Sequence, residues 1–187
     1  MRALVVIASS LAALIVGAVA LADTAEVDDN RNAGANLFDI EVATGGHRGA
    51  LLEHTVRTYH GWRSSVLRST SEQPRMIAIY IWKPGRSFNS QHDYEVFARF
   101  EKGKLRGSVV RVRPREKKVG TFRVRRLDRR SIAYAFDKRL IGDPSSYQWQ
   151  AVTGFTGKGC PKVKNFQFGC DDSAPTGATQ AHDLSKP

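Results

Sequence analysis

The segment Leu105–Leu127 constrains the fold most, because apolar and arginine positions alternate along it twice. Val110 and Val112 alternate with arginines in the first half, and Phe122 and Val124 do so in the second; the arginines are Arg111, Arg113, Arg115, Arg123 and Arg125. Successive side chains of a strand point to opposite faces, so this pattern predicts two half-buried strands, each with an apolar face and an arginine face. The basic stretch between them exceeds a two-residue turn and indicates a hairpin with a longer cationic loop.

Other short segments of the chain have the same strand character. Arg75–Lys83 is a continuous β-branched and aromatic run, which predicts a central strand covered on both faces. Thr44–Gly49 reads as a turn cluster, and further strands are predicted at 37–42, 50–59, 93–100, 131–136 and 147–155. Because no helical period is longer than a turn, we predict an all-β fold: an antiparallel β-sandwich, jelly-roll-like, with at most short helical turns.

The sequence at the two ends of the chain predicts export and polar segments on both sides of the domain. Residues 1–22 combine Arg2, an apolar run and Ala20-Leu21-Ala22, the three parts of a secretory signal peptide cleaved after Ala22. The alternative is a retained membrane anchor, because the apolar run is long enough to span a bilayer. We predict a flexible polar lead-in at 23–36, one domain at 37–170 and a polar tail at 171–187. The mature protein would then be secreted, monomeric and without stable membrane insertion.

Cys160 and Cys170 are the only cysteines of the chain. In an exported protein, two cysteines separated by nine residues indicate a local disulfide. Their spacing matches neither a metal site nor a thioredoxin-type redox motif.

The charge is strongly positive and unevenly distributed. Residues 99–139 contain 16 basic and 4 acidic side chains, a net charge of +12, whereas the whole chain carries +11. Guanidinium groups suit carboxylate, sulfate and phosphate. The arginine face of the predicted hairpin therefore indicates binding to an anionic polysaccharide or cell-wall polymer, and nothing indicates a specific nucleic acid. The alternative is that these arginines only solvate an exposed sheet face and protect it from edge pairing.

Aromatic residues offer a second way to bind a ligand. Exposed rings on a β-sandwich can stack on sugar rings, and Trp62, beside Gly61 in a polar loop, is the most plausible exposed ring. The other tryptophans lie in apolar runs, where burial in the core is the usual outcome.

Catalytic and metal motifs are weak throughout the sequence. No histidine has a zinc spacing and no serine lies in a nucleophile elbow, so we predict no enzyme activity and no metal. Asp39 and Glu41 share a face of a predicted strand and leave open a small hydrolase that uses strand-borne carboxylates. Asp171-Asp172 leaves calcium binding open, without an EF-hand pattern. A third alternative is a structural or interaction module.

Two short motifs carry a resemblance to known families. Leu37-Phe38-Asp39-Ile40 after a polar lead-in, followed later by a strand that opens with Asp93-Tyr94, resembles family 9 carbohydrate-binding modules and the related DOMON-like β-sandwiches. This resemblance spans about residues 28–153 and implies a jelly-roll-like sandwich that binds sugars or, in some relatives, haem. Because nothing pairs axial ligands for haem, we predict no cofactor. Cys170-Asp171-Asp172-Ser173-Ala174-Pro175 also resembles the end of small secreted bacterial proteins.

Overall fold

A computed structural model describes residues 22–31, 36–68, 70, 74–161 and 168–185 of the chain. These residues contain eleven strands and two single turns of 3₁₀ helix, Ser64–Leu67 and Lys138–Ile141. The strands in chain order are β1 (Ala22–Asp28), β2 (Ile40–Arg48), β3 (Leu51–Thr58), β4 (Arg75–Trp82), β5 (Tyr94–Glu101), β6 (Lys104–Arg111), β7 (Lys117–Arg126), β8 (Ser131–Asp137), β9 (Ser146–Phe155), β10 (Cys170–Ala174) and β11 (Gln180–Asp183).

The strands form one continuous antiparallel sheet. Ten of them follow the order β1-β2-β3-β8-β7-β6-β5-β4-β9-β10, and β11 pairs with β9. Most neighbours in the sheet are consecutive in the chain, and turns of two to five residues connect β2 to β3, β5 to β6, β6 to β7 and β7 to β8. The sheet curls until it is nearly closed into a barrel.

Side chains fasten the two ends of this sheet to each other. The Ile40 backbone N–H donates to Asp172 Oδ2 over 2.6 Å, which ties the start of β2 to β10. The rings of His47 on β2 and His182 on β11 share a hydrogen bond of 2.9 Å between Nδ1 and Nε2. The region where β1 and β2 meet β9–β11 is called the seam below.

The interior of the curled sheet is filled by large apolar side chains. Its largest fully buried members include Trp149, Tyr134, Tyr147, Phe38 and Phe136. The Tyr134 hydroxyl donates to the Ile77 carbonyl oxygen over 2.8 Å, so this buried polar group has the partner that burial requires.

The prediction of an all-β antiparallel fold with a Cys160–Cys170 disulfide and only short helical turns is confirmed. The predicted arrangement as a two-sheet sandwich differs from the continuous sheet of the structure. The physical reason lies in β7, which pairs with β6 through Lys117–Phe122 and with β8 through Arg123–Arg126. One long strand therefore joins what would otherwise be two sheets. Alternation of apolar and polar residues is the same in both arrangements.

The central hairpin and the central strand agree with the sequence. β6 and β7 pair antiparallel, with a cationic loop between them. Strand β4 is covered on both faces: Ile77, Ile79 and Ile81 lie in the interior, and Ala78 is buried on the outer face.

Both polar ends of the described chain are strands, which corrects the predicted flexible lead-in and polar tail. In β1, Ala25 and Val27 pack against the core, whereas Thr24, Glu26 and Asp28 are exposed. At the other end, Asp172, Ala174 and His182 are buried in β10 and β11. In β1, β10 and β11, a few small apolar residues are enough to form a strand, because the neighbouring strands supply most of the contacts. The predicted signal peptide lies almost entirely in residues 1–21, outside the described residues.

The predicted turn cluster at Thr44–Gly49 is also wrong over most of its length, because β2 continues to Arg48. Gly45 lies in the middle of this strand. A Cβ atom at Gly45 would lie 2.7 Å from Cε2 of Trp149, so the glycine makes room for the indole. Its role is close packing in a strand and not a turn.

Candidate functional site

The faces of β5 and β6 follow from which residues pack in the interior. Val96 on β5 and Val109 on β6 belong to the interior core. Side chains alternate along a strand, so the residues at the alternate positions, next to these valines and every second residue from them, point outward. They are Glu95, Phe97, Arg99 and Glu101 on β5, and Lys104, Arg106, Ser108 and Val110 on β6.

Three arginines line up across the outer face. Arg99 lies directly opposite Arg106 in the register of β5 and β6. The ladder between β6 and β7 ends at the pair Gly107–Phe122, so Arg123 occupies the first position beyond it, across from Arg106. We call Arg99, Arg106 and Arg123 the arginine row.

The strands β6 and β7 part at the arginine row, where β7 stops pairing with β6 and begins to pair with β8 on its other edge. A groove of about 570 Å³ opens between them. Leu105, Phe122 and Val124 contribute apolar surface to its lining. Its charged residues are Glu101, Lys102, Lys104, Arg106, Lys118 and Arg123. This cavity is called the basic groove.

The positive charge of the basic groove is not neutralised by the protein. Five cations and one carboxylate, Glu101, line it. Within the described residues, no ion pair involves any of these five cations. Clustered unpaired cations raise the local potential and attract anions.

A second groove of about 560 Å³ adjoins the first and shares Glu101, Ser108 and Lys118 with it. Its floor contains Phe97 and Val110, which form a small apolar cluster on the outer face together with Ala78. The Arg99 guanidinium lies over the Phe97 ring, with 4.8 Å to the ring centroid. This stacking holds Arg99 against the outer face of the sheet. Burial raises the pKa of Glu95 in this groove, and nearby Arg99 opposes that rise.

The five predicted arginines do not form one face. Arg123 lines the basic groove and Arg125 is exposed one outward position further along β7. Arg115 is exposed in the hairpin loop. Arg113 lines a separate cleft of about 530 Å³ with Lys83 and Arg86. Arg111 lies opposite Tyr94, a member of the interior core, and so points away from the outer face.

The predicted arginines are spread over several surfaces because the sequence contains two consecutive valines, Val109 and Val110. Either valine could face the core, and the alternation of valine with arginine along residues 110–113 indicates Val110. Pairing with β5 places Val109 opposite Val96 inside and Val110 opposite Glu95 outside. The side chain of Arg111, the last residue of β6, therefore lies on the inner face and not on the outer one. The sequence reasoning consequently missed Arg106 and Arg99 as site residues, although alternation within β5 and β6 was a usable signal.

Trp62 was predicted to be an exposed ring, and this is wrong, since its exposed fraction is 6%. The ring lies 3.4 Å from the Arg126 guanidinium carbon and packs edge-on against Phe38. Its Nε1 donates to Thr58 Oγ1 over 3.2 Å. Trp62 therefore belongs to the interior core and offers no face to a sugar.

The predicted carboxylate pair is not brought together at an open cleft. Asp39 is fully buried. The Glu41 carboxylate accepts hydrogen bonds from Arg57 Nε over 2.8 Å and from Arg130 Nη1 over 3.0 Å. Both arginines hold Glu41 in a partly exposed ion-pair network, where it supports the sheet.

A different set of carboxylates meets at the seam. Asp172 on β10 lies near Asp29 and Asp39, and the Ile40 and Ser173 backbone N–H groups donate to its two oxygens. Burial, together with the charges of Asp29 and Asp39, raises the pKa of Asp172 to about 7. A proton on Asp172 relieves the like-charge repulsion in this cluster. In the described part of the chain, no group of three or more histidine, cysteine or acidic side chains could hold a metal ion.

Three histidines, His47, His54 and His182, lie close together in the interior beside the seam. The sequence pattern did not indicate this cluster. His47 and His182 are hydrogen-bonded to each other, and Tyr147 Oη lies 2.9 Å from His54 Nε2. The His54 ring packs against Trp149 with 4.9 Å between ring centroids. Burial, together with nearby His182, lowers the pKa of His54 to about 3.

The buried imidazole predicts sensitivity to acid. An unfolded histidine takes up a proton near pH 6.5, whereas folded His54 stays neutral down to about pH 3. The unfolded state then binds more protons, so stability is complete above pH 6.5 and falls as the pH decreases toward 3. We expect His54→Gln to weaken this dependence by up to ~1 kcal/mol per pH unit, as measured by urea unfolding between pH 4 and 7.

The matched control for this prediction is His60→Gln. His60 is half-buried, and its Nε2 lies 3.3 Å from Arg31 Nη2 at the surface. Its replacement removes one histidine from the surface and leaves His54 and its neighbours in place. Equal slopes for wild type and both variants would show that His54 is not the source of acid sensitivity.

Comparison with protein families, curated proteins and solved structures finds no match for this chain. The resemblance to carbohydrate-binding modules therefore stays a prediction. Over the residues that the structure describes, no helix has the length and apolar character to cross a bilayer.

Proposed function

We propose that this protein binds a linear anionic polymer through the basic groove, without catalysing a reaction on it. The observation that carries the proposal is the convergence of five cations on one groove without an ion-pair partner in the described residues. Folding brings together positive charges from the turn between β5 and β6 and from the strands β6 and β7, and these charges repel one another. A ligand that supplies negative charge offsets this cost.

The shape of the groove favours a polymer over a small anion. The cations lie along an open cavity and extend to Arg99 on the neighbouring strand, so a single carboxylate or phosphate could contact only some of them. A chain with repeated acid groups can contact all of them and release counterions at each contact. An arginine fork additionally forms two parallel hydrogen bonds to one acid group.

The predicted export of the protein and its resemblance to carbohydrate-binding modules favour one class of anionic polymer. The signal peptide predicts export, and outside the cell the abundant anionic polymers are acidic polysaccharides and wall polymers. The resemblance of Leu37–Ile40 and Asp93-Tyr94 to carbohydrate-binding modules favours the polysaccharide. We propose that the protein acts there as a monomer.

Retention of the purified protein on immobilised polygalacturonate tests the proposal. Wild-type protein should bind at low salt and dissociate as salt increases, because counterion release makes the affinity fall with salt concentration. The variant Lys104→Gln/Arg106→Gln/Arg123→Gln should bind at least about tenfold more weakly and show a smaller salt slope. Size-exclusion chromatography in the same buffer should show a monomer.

The control variant Arg113→Gln/Arg115→Gln/Arg125→Gln loses the same charge outside the groove. It should retain most of the wild-type affinity. If both variants weaken binding equally, net charge and not the groove is responsible. If wild-type protein binds no anionic polymer at low salt, the proposed function is wrong.

A further inference from the structure

The arginine row contains a pair that costs the fold stability. Arg99 and Arg106 lie directly opposite each other on paired strands. Like charges in this relation destabilise a sheet, whereas opposite charges stabilise it. The next outward pair, Glu101 with Lys104, has the stabilising arrangement. The like-charged pair thus stands out from its neighbour.

The arginine row continues from β5 across β6 to β7, and it ends before β8. Beyond Arg106 the row reaches Arg123 at the mouth of the basic groove. The next position is Ala135 on β8, and after it comes Glu53 on β3, a negative charge. An anion can therefore follow the row over three strands and is repelled further on.

The direction of the row determines what can follow it. The row runs perpendicular to the strands, and paired strands such as β5 and β6 are about 4.8 Å apart, whereas β6 and β7 are no longer paired at Arg106 and Arg123. One sugar residue of an extended polysaccharide is about as long as the spacing of paired strands, so acid groups on consecutive rings would meet Arg99 and Arg106, and the chain would continue across the groove to Arg123. The phosphates of a polyol-phosphate chain are separated by more bonds and match this spacing less well.

From this geometry we infer that the ligand crosses the strands along Arg99, Arg106 and Arg123, and that it is a polysaccharide with an acid group on every ring. The inference rests on the proposed function and specifies its ligand. Each acid group binds one guanidinium fork, and the groove between β6 and β7 receives the part of the chain between Arg106 and Arg123. The lysines of the groove add attraction without a fixed geometry.

Titration calorimetry with three polymers tests the ligand class. The polymers are de-esterified polygalacturonate, the same polymer with about half of its carboxyl groups methyl-esterified, and a polyol-phosphate chain with the same number of charges. Wild-type protein should bind the first at least about tenfold more tightly than the other two, because only the first offers an acid to each arginine. A tetrasaccharide of the first polymer should bind nearly as well per site as the long chain, whereas a disaccharide should not.

Two variants with equal charge loss test the path. The row variant, Arg99→Gln/Arg106→Gln/Arg123→Gln, should lose about 100-fold in affinity. The lysine variant, Lys102→Gln/Lys104→Gln/Lys118→Gln, should lose much less. A melting curve gives an independent readout: without ligand, Arg106→Gln should be as stable as wild type or slightly more stable, because it removes the like-charged pair. Added polymer should raise the melting temperature of wild type more than that of Arg106→Gln.

The outcomes separate the inference from the proposed function. Equal losses for both variants, or equal affinities for the three polymers, would overturn the row as the path while leaving the binding of anionic polymers intact. A clear loss of unliganded stability in Arg106→Gln would mean that this arginine serves the fold. Absence of binding to all three polymers would overturn both proposals.

Discussion

Replacing Gly45 by alanine is expected to lower the free energy of unfolding by about 3 kcal/mol, as read from urea denaturation. The added Cβ would lie 2.7 Å from Cε2 and 2.8 Å from Nε1 of Trp149. Trp149 is fully buried and cannot move away without disturbing the interior core. Valine at this position should destabilise the protein further, because its methyl groups would need the same space.

Gly61→Ala is the matched control for this substitution. A Cβ at Gly61 would meet Arg129 Cβ at 3.7 Å, an ordinary contact, and Gly61 is exposed. We expect a change within about 0.5 kcal/mol. If Gly45→Ala is as stable as Gly61→Ala, the indole does not pack over β2 as described.

Replacing Asp172 by asparagine is expected to stabilise the protein above pH 7 by about 1 kcal/mol or more. The pKa of Asp172 is raised to about 7 in the folded state, whereas an unfolded aspartate titrates near pH 4. Between these values the folded state binds more protons than the unfolded state. Stability therefore falls as the pH rises through this window, and the penalty is complete above pH 7. Asparagine keeps an oxygen that can accept from Ile40 N–H but cannot ionise.

Urea unfolding of wild type and Asp172→Asn at several pH values from 5 to 8 measures this effect. The difference between the two curves should be smallest at pH 5 and increase progressively toward pH 8. Asp171→Asn is the control, because Asp171 is the exposed neighbour on the same strand. A constant difference between wild type and Asp172→Asn at all pH values would show that Asp172 does not keep its proton at the seam.

These two residues connect stability to the proposed function. The packing of Trp149 over Gly45 and the hydrogen bond from Ile40 N–H to Asp172 hold the seam shut, and a closed seam fixes the curvature of the sheet. The basic groove opens on the opposite side of the sheet path, where β6 and β7 part. Because groove and seam lie on different strands, groove variants can lose binding without losing stability. This separation makes the binding experiments interpretable.

The sequence by itself determined eight of the eleven strands in the described residues, the disulfide and the basic hairpin. Alternation, turn residues and cysteine spacing are local properties, and each acts within a few residues of the chain. The same local rules missed the strands β1, β10 and β11. Their apolar residues are few, and the neighbouring strands β2 and β9 supply their pairing.

Only the tertiary structure decided which residues form the candidate site. Arg106 and Arg123 are 17 positions apart in the chain, and their juxtaposition depends on the register of β6 with β7. Likewise, whether Val109 or Val110 faces the core depends on the pairing of β6 with β5. A shift of one residue in register moves every side chain of a strand to the other face. The pattern of a single strand does not contain this choice, since register is a property of two strands.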